Sequence, residues 1–396
     1  MLLNYSFSNF QSFRRRVEVD LTLTKKTALT DWMTVTSAGQ SVSKLMAVIG
    51  ANGSGKTGLL KPIAFLSWFI VRSFQVPPET DIPIFPHFAA AKEPTEFEIT
   101  LEFEGKLWRY ELICTKQRVL HEALYQKKER FSYVFIRIWD KNKNHYTIKQ
   151  QDFDFNPQEA SKVRANASLI ATAAQYGVPL ATRFTAFFDV CSNISVFGRL
   201  PIGLDSIANA AQHFSTHIEQ RNQMVQLLSC WDFGLSDVDL KEIEVPDVSS
   251  GSSARKIWIP FGKHKSNKAE YSLNFMQESN GTRSAFVLLS QLLPILNKGG
   301  IAIIDELETD LHPHMLEPIL SLFADPKANP HQAQLLFTCH VAEVLNLIHK
   351  SQVMLVEKNV DCESEAIRLD KVENIRNDDN YYAKYMAGAY GAIPNF

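Results

Sequence analysis

The stretch Gly50-Ala51-Asn52-Gly53-Ser54-Gly55-Lys56-Thr57 constrains this chain more than any other. It fits G-x-x-x-x-G-K-[ST] at every position. Glycines at these places let successive backbone N–H groups turn toward an anion, and a helix starting there adds the positive end of its dipole. The context agrees. Residues 46–49 are a short apolar run that reads as a buried strand, and a helix is expected over 55–75. The pattern assigns Gly50, Asn52, Gly53, Ser54, Gly55, Lys56 and Thr57 to nucleotide binding. Lys56 would reach the β- and γ-phosphates and Thr57 would hold Mg²⁺, so ATP and Mg²⁺ are the expected cofactors.

A second element complements the first. Residues 301–304, Ile-Ala-Ile-Ile, run into Asp305-Glu306. Four apolar residues ending in two acids describe a buried strand that delivers carboxylates to a sheet edge. Asp305 is the expected second Mg²⁺ ligand, and Glu306 the expected base or polariser of an attacking water. Lys56 and Asp305 lie about 250 residues apart, far more than in GTPases and small kinases with the same loop. A long insertion between two halves of one nucleotide fold is the pattern of ABC-class ATPases, above all SMC-like and repair ATPases.

That class predicts three further elements. Glu278-Ser279-Asn280-Gly281-Thr282 precedes a helix expected over 285–296. Ser279, Gly281 and Thr282, with the N–H groups at the helix start, suit a γ-phosphate held by another subunit. In isolation an N-cap turn fits these residues equally well. The loop at 307–313 follows the acids, and His340 ends the next expected strand, over 334–338, where it would meet the γ-phosphate. Gln175, beside Tyr176, is a candidate for the glutamine such ATPases place near the nucleotide, although an exposed helix position explains it as well.

The remaining pattern divides the chain into four parts. Residues 1–94 carry the phosphate loop and begin with two short strands over 3–10 and 17–23. Residues 95–155 alternate, with Phe97, Ile99, Leu101 and Phe103 facing Trp108, Tyr110, Leu112 and Cys114 across a turn, as in an antiparallel β lobe. Residues 156–250 are richer in Ala, Gln and Leu and suggest a helical insertion or arm, with helices over 160–176 and 207–228. Residues 248–253, Val-Ser-Ser-Gly-Ser-Ser, are the linker candidate. Residues 251–396 form the last part: strands are expected over 256–261 and 271–275 around a loop, and from Ala285 short apolar strands alternate with helices, which implies a parallel sheet. Helices are expected there over 315–323 and 341–349. The expected fold is therefore α/β: an ABC-type (SMC-like) P-loop nucleotide-binding domain with an antiparallel β lobe and a helical insertion.

Charge and cysteine usage exclude some alternatives. The formal net charge is −2, which does not argue for nucleic acid on charge alone. Local basic clusters exist at Arg14-Arg15-Arg16 and at Lys263, His264, Lys265 and Lys268; solvation and DNA contact both explain them. The five cysteines share no CxxC or zinc-finger spacing, and the first residues lack a signal-peptide pattern, so a cytoplasmic protein with reduced thiols is expected. The apolar run at 59–76 is broken by Lys61, Pro62 and Arg72, and no membrane segment is expected.

Taken together, these residues resemble the ABC-type AAA ATPases of OLD-like proteins and of bacterial abortive-infection and anti-phage systems. The resemblance is carried by Asn9-Phe10-Gln11-Ser12-Phe13, the Glu-Ser-x-Gly-Thr segment at 278–282, the Asp-Glu-Leu-Glu-x-x-Leu-His-Pro block at 305–313, and Tyr390-Gly391-Ala392-Ile393-Pro394. ABC transporters have aspartate where His312 stands. The family usually has Thr-His-Asp around the histidine, and this chain has Cys339-His340-Val341. OLD nucleases append a TOPRIM domain of acidic metal ligands. Here Asp361, Glu363, Glu365, Asp370, Asp378 and Asp379 lack the glycine-bounded strands of such a site, so no intrinsic nuclease is expected. The resemblance implies an ATP-hydrolysing sensor of a defence system. It would form a homodimer or higher oligomer through the ATP interface and respond to DNA or a phage protein. It would control a separate effector: a TOPRIM-like or HNH nuclease, or a toxin. The alternatives are a DNA-repair or SMC-like ATPase acting directly on DNA, a scaffold using ATP without turnover, and a transporter subunit.

Overall fold

The five residues Leu45–Ile49 are all apolar and all buried, so this strand must be covered on both faces. The computed structural model, which describes residues 1–25, 27–246 and 254–394, explains how. In chain order the first half holds β1 (Leu2–Ser8), β2 (Val17–Asp20), β3 (Met33–Val35), β4 (Ser41–Ser43), β5 (Leu45–Ile49), α1 (Lys56–Arg72), and β6 to β10 (Thr95–Phe103, Lys106–Cys114, Val119–Lys127, Phe131–Asp140 and His145–Gln150). Next come α2 (Pro157–Ser161), α3 (Leu169–Gln175), α4 (Pro179–Phe188), β11 (Cys191–Ser192), α5 (Leu204–Thr216), α6 (Ile218–Cys230), and β12 to β14 (Asp237–Pro246, Ala254–Lys265 and Glu270–Asn274). The last part holds α7 (Asn280–Lys298), β15 (Ile301–Ile304), α8 (Leu316–Ala324), β16 (Gln334–Thr338), β17 (Val353–Lys358), β18 (Ser364–Arg368) and α9 (Tyr381–Met386).

One sheet has the order β11-β15-β16-β5-β17-β18, parallel except for β18. Its strands send alternate side chains into two cores. Met46, Val48, Ile303 and Leu336 join the core that also holds α1 and the antiparallel sheet. Leu45, Ala47, Ile304 and Phe337 join the core formed with α5, α7 and α8. This alternation follows from the two-residue period of a strand. The antiparallel sheet, order β10-β9-β8-β7-β6-β1-β2, presents the expected buried face through Phe97, Ile99 and Leu101 against Trp108, Tyr110 and Leu112. It includes β1 and β2, so the β lobe shares a sheet and a core with the first part of the chain.

The helices of residues 156–246 pack into the body of the domain rather than extending as an arm. Helices α3 and α4 pack on α1, with Leu169, Ile170 and Phe184 in the first core. Strand β11 completes the parallel sheet, and α5 and α6 pack on α7. The helix expected over 160–176 is two helices, because Ser168 caps a new start: its Oγ accepts from the N–H of Ile170 at 3.0 Å. The helix expected over 207–228 breaks at His217, whose φ of −118° and ψ of 77° leave the helical region. The linker candidate at 248–253 lies outside the described residues. Its flanks, β12 and β13, pair from Asp237 with Lys263 onward, so the boundary drawn at 250/251 falls within a hairpin. The helix expected over 341–349 is a short 3₁₀ turn, Ala342–Asn346. No described helix is long and apolar enough to cross a membrane.

Candidate functional site

The phosphate loop has the backbone its glycines were expected to allow. Gly53 and Gly55 take φ of +74° and +113°, in the left-handed region. A side chain on Gly50 would meet the Val356 carbonyl at 2.1 Å, so only glycine fits between the loop and β17. Behind the loop, Ser364 Oγ of β18 donates to the Ser54 carbonyl at 2.6 Å and lies 2.7 Å from Ser12 Oγ. The loop is thus braced by residues from both ends of the chain.

Lys56 begins α1 and is 7% exposed. Its Nζ donates to the carbonyls of Gly50 at 2.8 Å and Ala51 at 3.1 Å. Burial lowers its pKa from the usual lysine value, and Asp305, then Glu306, oppose that shift. Thr57 Oγ1 stands 2.9 and 3.0 Å from the two oxygens of Asp305, bringing together the start of α1 and the end of β15. Thr338, fully buried at the end of β16, donates from Oγ1 to Asp305 Oδ1 at 2.7 Å. The same Oγ1 accepts from the Glu306 N–H at 2.7 Å.

Glu306 turns out of β15 with a left-handed φ of +50°. Its Oε2 accepts from Arg199 Nη1 and from Thr309 Oγ1, the latter at 3.2 Å. Its Oε1 lies 3.8 Å from His340 Nε2. Lys56, Thr57, Asp305, Glu306 and His340 line one cleft of 780 Å³, together with Asn52.

The arrangement suits a nucleotide triphosphate with its metal. The loop has three backbone positions that only glycine fills well, the Thr57 hydroxyl faces a carboxylate at the right end of the sheet, and the buried Ser54 hydroxyl donates to no described partner.

Ser279, Gly281 and Thr282 do not line this cleft. Ser279 caps α7, its Oγ accepting from the Thr282 N–H at 3.1 Å, and it lies exposed on another part of the surface. Gly281 is packed against the loop after β15, where an added Cβ would meet the Asp310 carbonyl at 2.9 Å. Gln175 sits exposed at the end of α3, away from the cleft. The residue that flanks the acids is Asn193, just past β11. Its Oδ1 accepts from the Asp305 N–H at 2.7 Å and its Nδ2 donates to the Asp305 carbonyl at 2.9 Å. Neither Asn193 nor Arg199 carries a sequence signal; each meets its partner across more than a hundred residues of chain.

The basic clusters are largely paired. Lys263 contacts Asp237 and Asp239, His264 lies 2.8 Å from Glu278, and Arg14 and Arg15 both contact Glu363. Among the late acids, Glu363, Asp370 and Asp379 pair with Arg14, Arg368 and Lys384.

A phosphate loop on β5, paired acids on β15 between β16 and an edge strand, and a helix cap set apart from the cleft define an ABC-type P-loop nucleotide-binding domain. Residues 45–346 match the family described as "AAA domain, putative AbiEii toxin, Type IV TA system", and the chain belongs to that family. Among curated proteins no sequence matches it. Solved structures it resembles include an Smc head bound to the C-winged helix domain of ScpA, at 12% identity and a TM-score of 0.49, covering 94% of this chain and 99% of that one. The SMC head domain from Thermotoga maritima is 14% identical, with a TM-score of 0.42 over 93% and 98% of the two chains. An Smc head with an extended coiled coil, bound to the C-terminal domain of ScpA derived from Pyrococcus furiosus, is 10% identical, with a TM-score of 0.45 over 92% and 95%.

Proposed function

We propose that this protein hydrolyses ATP between two copies of itself and uses the cycle to control a separate effector in bacterial anti-phage defence. The observation that carries the ATPase reading is the meeting of Thr57 and Asp305, at 2.9 Å, beside Lys56, Glu306 and His340 in one cleft. Gly50, Asn52, Gly53, Ser54 and Gly55 cradle the phosphates with Lys56. Thr57 and Asp305 hold Mg²⁺, which neutralises phosphate charge when bound. Glu306 accepts a proton from the attacking water, and His340 stands where a γ-phosphate contact is made. Ser279 is exposed at the start of α7, with Gly281 beside it and the buried Thr282 bonded to its Oγ; this turn serves the nucleotide of the second copy, which makes the assembly ATP-dependent.

The defence role rests on the family and on the OLD-like resemblance of the 305–313 block. The test purifies wild type, Lys56→Ala and Glu306→Gln with the neighbouring gene product. Size exclusion with light scattering is run with and without ATP–Mg²⁺, and phosphate release is measured. Wild type should turn over ATP, assemble with ATP and retain the partner. Lys56→Ala should lose all three, while Glu306→Gln should lose turnover and keep assembly. A wild type that binds ATP yet stays alone at every concentration would sink the effector reading. Salt-sensitive DNA binding modulated by ATP, without a retained partner, would favour direct action on DNA.

A further inference from the structure

Glu306 borders two spaces. One oxygen, Oε1, accepts no hydrogen bond from the described residues and lies on the His340 side, in the nucleotide cleft. The other, Oε2, takes bonds from Arg199 and Thr309. Arg199 lines a separate cavity of 340 Å³ behind the acid, and it is not part of the cleft wall. Arg199 is itself held in register. It closes a small hairpin through a bridge to Ile194, with Ser195 N–H donating to the Gly198 carbonyl at 2.7 Å. The Leu200 N–H donates to the Asn193 carbonyl at 2.8 Å, and the Asn193 side chain clamps Asp305. The guanidinium is therefore referenced to the same strand end that delivers the acid.

We propose that Arg199 is a positioning residue for hydrolysis. It anchors Oε2 of Glu306 from behind, so that Oε1 stays aimed into the cleft at the attacking water. The inference rests on the reading of Glu306 as the base. A partly exposed ion pair contributes little to stability, and Arg199 and Glu306 side chains are 26% and 38% exposed. Its role is therefore read in kinetics. Holding a reactive group within a fraction of an ångström needs such supporting contacts, and a small misplacement costs on the order of a hundredfold.

The experiment measures steady-state ATPase and affinity for a fluorescent ATP analogue in full-length wild type, Arg199→Gln, Arg199→Lys and Glu306→Gln. Arg199→Gln should lower kcat on the order of ten- to a hundredfold with KM and analogue affinity near wild type. Arg199→Lys should recover part of the loss, since a cation remains but not the planar fork. A kcat for Arg199→Gln equal to or above wild type overturns the proposal. If Arg199→Gln loses analogue binding, Arg199→Lys decides: a lower kcat at unchanged KM supports the proposal, and wild-type kcat overturns it. A wild type without turnover overturns the reading of Glu306 and this inference together. Turnover abolished by Glu306→Gln but untouched at Arg199 overturns the inference alone.

Discussion

Replacing Thr338 with valine keeps the shape of the side chain and removes one hydroxyl, yet that hydroxyl serves both acids of the site. Oγ1 donates to Asp305 at 2.7 Å and accepts from the Glu306 N–H at 2.7 Å, on a residue with no exposed surface. A hydrogen bond to a charged group contributes about 1.5–3 kcal/mol, and a partly buried N–H left without an acceptor costs about 1 kcal/mol more. Valine is nearly isosteric, so no cavity contribution is added. Thr338→Val should therefore destabilise the protein by about 3 kcal/mol. Thr338→Ser keeps the hydroxyl and loses only a methyl group, worth about 1 kcal/mol. Urea unfolding followed by tryptophan fluorescence measures both, with phosphate release recorded on the same samples. Thr338→Val should also slow turnover, because Asp305 and Glu306 lose their shared reference. A serine variant as damaged as the valine variant would refute the hydrogen-bond reasoning and point to packing. A valine variant within about 0.5 kcal/mol of wild type would refute the assigned magnitude.

Other outcomes follow from single contacts. Arg137 and Glu122 are both fully buried, with Arg137 also donating to the carbonyls of Val163, Arg164 and Ala167. Arg137→Met should cost about 3–5 kcal/mol by stranding Glu122, and adding Glu122→Gln should recover part of it, which a double-mutant cycle in urea measures. Gly281→Ala would press a Cβ against the Asp310 carbonyl; it should weaken ATP-dependent self-association while leaving ATP binding by the single chain near wild type, as read by light scattering and analogue titration. Cys230 and Cys362 are exposed, whereas burial raises the thiol pKa of Cys114 and Cys339 and pushes that of Cys191 up to about 12. Iodoacetamide at neutral pH should label the first two quickly and the other three slowly, as mass spectrometry of digests would read.

What the sequence disclosed was local. The phosphate loop is eight contiguous residues, in which φ demands glycine at 53 and 55 and a close backbone approach demands it at 50. The strand over 301–304 is a continuous apolar run, and the 97–101 and 108–112 alternation is a two-residue period. All three survive in the structure because neighbours along the chain determine them. Helical character was visible over 160–176 and 207–228, though not the breaks within those spans or α4 (Pro179–Phe188), and helical spacing says only that a face is buried, nothing about what buries it. The arm became part of two cores for that reason. Asn193, Arg199 and Thr338 had no signal, because each acts through a partner brought close only by the strand order β11-β15-β16. Glu122 and Arg137 lie 15 residues apart on paired strands, and the alternation predicted a buried face without predicting that a charge pair would occupy part of it.

The strand order also links two places that the sequence kept separate. Asp310 meets the start of α7 through its carbonyl beside Gly281 and through its carboxylate, which accepts from Ser284 Oγ at 3.2 Å. The residue before it, Thr309, donates to Glu306. The proposed contact for the second copy's nucleotide is thus joined to the proposed base of the first copy's own site by one short loop. A shift of α7 on engaging a partner has to move Asp310 or be resisted by it, and Thr309 travels with Asp310. These contacts form a continuous chain of touching residues from α7 to Glu306. On the proposed reading it would couple hydrolysis to assembly: a copy whose Ser279 engaged a partner's nucleotide would set the loop that helps hold its own Glu306.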